Sequence, residues 1–171
     1  MKTVNYGWQQ RFRELYDKAH VKYRNEHRKV ETMFTPREVN VLRGFGAKPM
    51  ELYDYAEDSS DLDWETALLI TAVRRDYFLH EQGGNWSGKT IDMEQLPPKD
   101  AALEGVVWLP RIIEKAKARL RGEMPDNLMY CCGGDRKFFR AHDLHPADFL
   151  RFVWSAKGKT EKIVQYVKGG G

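Results

Sequence analysis

Residues 130–146, Tyr-Cys-Cys-Gly-Gly-Asp-Arg-Lys-Phe-Phe-Arg-Ala-His-Asp-Leu-His-Pro, hold both cysteines of the chain together with a Gly-Gly pair, an Asp-Arg couple and two histidines. Several chemistries could be built there. Cys132 stands just ahead of an expected helix start and close to Arg136, the setting in which a thiol becomes a nucleophile. His142, His145 or Asp135 would then assist it. The plainer alternative is that both cysteines are small buried hydrophobes. Zinc would call on Cys131, Cys132, His142 and His145, but structural zinc sites space their thiolates, and adjacent cysteines chelate poorly. No metal is expected. Gly133 and Gly134 supply backbone freedom, and a Gly-Gly turn entering a helix resembles an anion nest. Asp135 sits where an N-cap belongs, and a capping carboxylate already fills the positive end of the helix dipole.

A second group of candidates is cationic. Arg111 and Lys115 lie four residues apart at the start of a proline-initiated helix, with Arg119 one step further on the same face. They read either as a solvated basic face with ion pairs to Glu114 or Asp100, or as a grip for a carboxylate or phosphate. Arg74 and Arg75 follow an apolar run, so at least one guanidinium is expected inside, paired with Asp76, Asp54 or Glu57 or open to an anionic ligand. The leading expectation is a protein holding a small anion between the 64–81 helix, the start of the 110–121 helix and the 130–136 turn. Arg111, Lys115, Arg136 and Arg74 would neutralise that anion, Tyr130 would supply a hydroxyl, Trp108 a wall, and Asp135 would share the turn. The alternatives are a small enzyme with Cys132 as nucleophile, and an interaction module that self-associates, as a homodimer, through an aromatic helix at 8–27.

The elements that must position these residues are well signalled. Trp8, Phe12, Leu15, Tyr16, Ala19 and Tyr23 recur at helical spacing and predict an amphipathic helix over 8–27. Thr35, Pro36 and Glu38 form a capping-box start, and Gly44 and Gly46 end that helix early. Pro49 begins another. Asp61 or Asp63 caps a helix that Gly83-Gly84 ends, and its stretch from Ala67 to Val73 is apolar on nearly every face, which places it mid-bundle. Residues 83–107 form a long polar connection over the core. Helices follow from Pro110 to Gly122, after Asp135, from Pro146 and from Thr160. Extended segments at 104–109 and 128–131 are too few for a large sheet. The expected fold is all-α, a compact bundle of six or seven helices in a single domain over 1–168, with a flexible tail at 169–171.

Composition narrows the classes further. With 42% apolar and 31% charged residues, the chain reads as an ordinary soluble globular protein large enough to bury a core. A net charge of +3 gives no nucleic-acid signal. No apolar run approaches the ~20 residues that cross a bilayer. The first fifteen residues show no signal peptide, so a cytoplasmic setting, no membrane partner and two free thiols are expected. Phosphate-loop, dinucleotide-binding, HExxH and Ser/His/Asp signatures are absent, and no cofactor is expected.

The segment "GVVWLPRIIEKAKARLRGEMPDNLMYCCGGDRKFF", followed by "HDLHPADFLRFVW", resembles a bacterial family built on a domain of unknown function. That family shows a Trp-Leu-Pro-Arg start, a Lys-Ala helix ending in glycine and a Tyr-x-Cys-Gly-Gly-Asp-Arg-like turn. The likeness is best over residues 105–154. Its pattern has glycine where this chain has Cys131, which makes Cys132 the better candidate for any shared chemistry. The resemblance implies a small cytoplasmic bacterial protein and brings no activity with it.

Overall fold

In a computed structural model, which describes residues 5–169, the chain is mainly α-helical and divides into two compact units, Met1–Gly84 and Asn85–Gly171. Eight α-helices and one two-stranded sheet are present among the described residues. The first four residues of the N-terminal stretch that lacks a signal-peptide pattern lie outside the described residues. So do the last two residues of the expected tail, whose first residue, Gly169, ends a helix.

The N-terminal unit contains α1 (Trp8–Arg24), α2 (Pro36–Gly44), α3 (Pro49–Glu57) and α4 (Trp64–His80). Its starts are local chemistry. Thr35 accepts from the Glu38 amide while Glu38 reaches back to the Thr35 N–H, and Asp63 accepts from the Thr66 amide to cap α4. The aromatic stripe of α1 packs along α3, with Trp8, Phe12, Leu15, Tyr16 and Ala19 buried and Tyr23 half-buried. Phe12 stacks on Trp64 at 5.6 Å, Trp8 meets Phe45 edge-on, and Tyr16 lies against Tyr55 and Trp64. Trp8 and Tyr16 are thus core residues here, not an open face. Leu69 on α4 is 43% exposed, so the run from Ala67 to Val73 is not covered on every side within the unit.

The C-terminal unit begins with the expected long connection, which is tied down along its course. The Ile91 amide donates to the Glu123 carbonyl, and Arg111 Nη1 donates to the Pro97 carbonyl. Burial would raise the Glu123 pKa, but hydrogen bonds from Arg121 and Ser87 and the charges of Arg121 and Lys89 hold it below the ordinary value. Ala102–Leu103 (β1) and Val106–Val107 (β2) pair antiparallel, Ala102 opposite Val107. The extended segment expected at 128–131 is a turn. Then come α5 (Leu109–Arg121), α6 (Gly133–Ala141), α7 (Pro146–Ala156) and α8 (Thr160–Gly169). α7 packs on both α5 and α8. Ile112, Ile113, Ala116 and Leu120 of α5 and Phe149, Leu150 and Val153 of α7 are buried. His145 caps α7 by accepting the Ala147 N–H at Nδ1, and Phe139 meets Phe149 and Tyr130.

Candidate site on helices α5 and α6

Lys115 is the centre of the site, and it does not face water. Its side chain is 2% exposed, and Nζ lies 2.5 Å from Oδ2 of Asp135, which is fully buried. Asp135 is not the N-cap of α6. Cys132 occupies that position, and Asp135 is the third helical residue. From there its carboxylate turns back along the chain. Oδ2 accepts the Cys131 N–H at 2.9 Å as well as Lys115, and Oδ1 accepts the Trp108 indole N–H at 2.9 Å. A buried carboxylate with three donors, one of them a cation, is the arrangement in which an ion pair survives desolvation.

Trp108 reaches this carboxylate because α5 starts in an unusual way. Its N-cap, Trp108 itself, has φ 75°, and the left-handed turn swings the indole toward the start of α6. There it lies on Gly134. A Cβ at that glycine would sit 2.6 Å from Trp108 Cη2, so only glycine admits the ring.

Cys131 also has positive φ, 71°, and the backbone on either side of it is held. Asp135 takes its N–H, and Arg136 Nη1 donates to its carbonyl at 2.7 Å. This is a conformation that glycine adopts freely. The Cys131 thiol is fully buried, and burial, then Asp135, pushes its pKa up to about 12. It is inert at neutral pH. Cys132 is half-buried, free, and at the N-cap of α6, a helix whose first turn has no side-chain cap. Lys115 Nζ donates to Cys132 Sγ at 3.4 Å.

The structure therefore brings together Lys115, Asp135, Trp108 and Cys132, with Arg136 bonded to the same turn. Tyr130 is buried and donates its hydroxyl to the Pro146 carbonyl. Arg111 is held at Pro97. Arg74 belongs to the N-terminal unit, where it is fully buried, donates to the Gly46 carbonyl and to Gln82 Oε1, and lies over the Phe78 ring. Arg75 donates to Asn5 Oδ1 and lies over Trp8. His142 lies against Phe138. Among the described residues no group of three or more His, Cys, Asp or Glu is placed to hold a metal ion. Sequence reasoning missed Gly134 as the seat of the indole. Arg119, expected on a basic face with Arg111 and Lys115, is instead buried beside Tyr130 and Cys131, and burial lowers its pKa to about 10 against the pull of those two groups.

Fold and site together define a mainly helical domain whose polar centre is a buried lysine–aspartate pair beside a thiol. Residues 95–170 match the family model described as a domain of unknown function (DUF5069). That stretch contains α5 to α8 and every residue of the site, and encloses the segment 105–154 that carries the resemblance. No curated protein and no solved structure matches the chain. Among the described residues no helix is long and apolar enough to cross a membrane.

Proposed function

We propose that the protein acts through the thiol of Cys132, as a nucleophile toward a small electrophile that carries a carbonyl or anionic oxygen. One observation carries this reading. Cys132 Sγ sits 3.4 Å from Lys115 Nζ, and Lys115 is itself fixed by Asp135 at 2.5 Å. A nucleophile, a charged neighbour and a third group that orients the neighbour are the parts of an activated-nucleophile site. The second support is the place of Cys132 at the N-cap of α6, where the amides of the first turn have no intrahelical acceptor. Those of Gly133 and Gly134 are suited to hold the oxygen on which charge develops as sulfur adds to the carbonyl carbon. Anion binding thus enters the reading as recognition of the substrate's oxygen, with Arg136 as the nearby cation. Lys115 is counterbalanced by Asp135 and serves the sulfur, and Arg111 positions the connection through Pro97.

The test is alkylation of the full chain with iodoacetamide at neutral pH, followed by peptide mapping. Cys132 is expected to react faster than the single cysteine of an unstructured peptide, and Cys131 to remain intact. Cys132→Ser is expected to abolish labelling. Protection of Cys132, or reaction at the rate of the unstructured peptide, refutes the reading.

A further inference from the structure

The contact between Lys115 and Cys132 has a chemistry beyond nucleophilic attack. Nζ and Sγ are 3.4 Å apart, within van der Waals reach. The amine is enclosed and fixed, while Cys132 as a residue is only half-buried. We infer that Lys115 and Cys132 form a reversible nitrogen–sulfur cross-link when the protein meets hydrogen peroxide.

The step balances. Sulfur attacks one oxygen of the peroxide, an S–O bond forms and the O–O bond breaks. Cys132 becomes a sulfenic acid, oxidised by two electrons, and the peroxide is reduced to water. The Lys115 ammonium then passes a proton to the Asp135 carboxylate, 2.5 Å away. The freed lone pair on Nζ attacks the sulfenic sulfur, an N–S bond forms, and the S–O bond breaks with loss of water. In sum, thiol, amine and one peroxide give a sulfenamide and two waters. The buried site gains no net charge, because a lysine–aspartate ion pair is replaced by a neutral nitrogen and a protonated carboxyl. This is what a low-dielectric position permits.

Competing partners are worse placed. Consecutive Cα atoms lie about 3.8 Å apart, below the ~4.4 Å lower limit of ordinary disulfides. Cys131 is also fully buried and fixed through both its N–H and its carbonyl. The cross-link would tie α5 to the start of α6 and protect Cys132 from irreversible oxidation until a thiol reductant releases it.

The inference uses the same sulfur as the proposed function but does not need that sulfur to be a catalyst. The full chain would be treated with hydrogen peroxide, its remaining thiols blocked with N-ethylmaleimide, and the non-reduced digest sequenced by tandem mass spectrometry. The expected product is a peptide pair joined at Lys115 and Cys132, lighter than the sum of its parts by two hydrogen atoms. Tryptic cleavage after Lys115 is expected to be lost, and dithiothreitol to restore it. Lys115→Arg keeps the charge toward Asp135 but removes the nucleophilic amine, so the product is expected to vanish. Cys132 recovered only as sulfinic or sulfonic acid, or linked to Cys131 or to the Gly133 nitrogen, overturns the inference, as does a cross-link that survives in Lys115→Arg. Should that variant not fold, mapping of the wild-type chain decides alone. Fast alkylation without a cross-link sinks only this inference; a cross-link without fast alkylation sinks only the proposed function.

Discussion

Replacing Asp135 by asparagine asks how much of the C-terminal unit hangs on the buried pair. The substitution keeps size and shape and removes one charge. Lys115, with its side chain 2% exposed, would then be a cation without a counter-ion. Removing one partner of a buried pair costs roughly 3–5 kcal/mol. The amide also has one acceptor oxygen where the carboxylate has two, and the carboxylate serves both the Trp108 indole and the Cys131 N–H. One of these donors is stranded, which by itself costs ~1–3 kcal/mol. The two losses share a site and do not simply add, so about 4 kcal/mol is expected, a large part of the ~5–15 kcal/mol that holds a typical domain folded. Lys115→Met/Asp135→Asn removes the orphaned charge and retains one acceptor. It is expected to recover ~2 kcal/mol or more of that loss. The assay is urea unfolding of wild type, both single variants and the double variant, followed by far-ultraviolet circular dichroism, with equal slopes required before midpoints are compared. If the two single effects add to within ~0.5 kcal/mol, the residues are not coupled and the pair is not the centre of the site.

Gly133 and Gly134 are neighbours with opposite expected responses to alanine. A Cβ at Gly134 would overlap the Trp108 ring, which cannot retreat without leaving Asp135, so Gly134→Ala is expected to destabilise by ~1–3 kcal/mol. At Gly133 the nearest atom is Arg136 Nη2 at 3.8 Å, and Gly133→Ala is expected to be neutral or to stabilise by up to ~1 kcal/mol. Thermal unfolding checks both, and equal shifts would refute the packing account. Acid lability should follow Glu38 and Glu123. Burial opposes ionisation of each, but hydrogen bonds from Lys18 and Thr35, and from Arg121 and Ser87, leave both folded pKa values below the ordinary 4.5. Below that value the unfolded chain binds the proton first, so the stabilisation is complete above pH 4.5 and is lost as pH falls through the folded pKa values. Glu123→Gln is therefore expected to flatten the fall in urea midpoint between about pH 6 and about pH 3; an unchanged slope would refute the assignment.

Most of the helical frame is legible in the sequence because its signals are local. Thr35-Pro36-Glu38, Asp63, Pro110 with Gly122, and His145-Pro146 each fix a helix end by contacts within a few residues. The site is legible only in its cast. Trp108, Lys115, Tyr130, Cys132, Asp135 and Arg136 all stand out by type and spacing, but several of them suggest the wrong partners. Asp135 reads as a cap because side chains that cap precede a helix, yet the helix begins two residues earlier, at Gly133. Lys115 reads as half of a basic grip because charge spacing on a helix says nothing of a carboxylate twenty residues away. The left-handed turns at Trp108 and Cys131 have no sequence signature, since nothing about tryptophan or cysteine announces positive φ.

The deeper reason lies in the stripe of α5. Lys115 and Arg119 stand among the buried residues of a helix whose others are Leu109, Ile112, Ile113, Ala116, Ala118 and Leu120. By hydrophobicity alone a charge there is an error, and by periodicity alone it is part of a polar face. Only a partner makes the position workable: Asp135 renders Lys115 tolerable by offering a full counter-charge. Such a pair costs more to desolvate than an apolar substitute of equal volume, so stability alone does not account for it. What it adds is a cation held still, in a dry place, within reach of the sulfur of half-buried Cys132 at the N-terminus of a helix. A leucine at position 115 would fill the same space and take that cation away from Cys132.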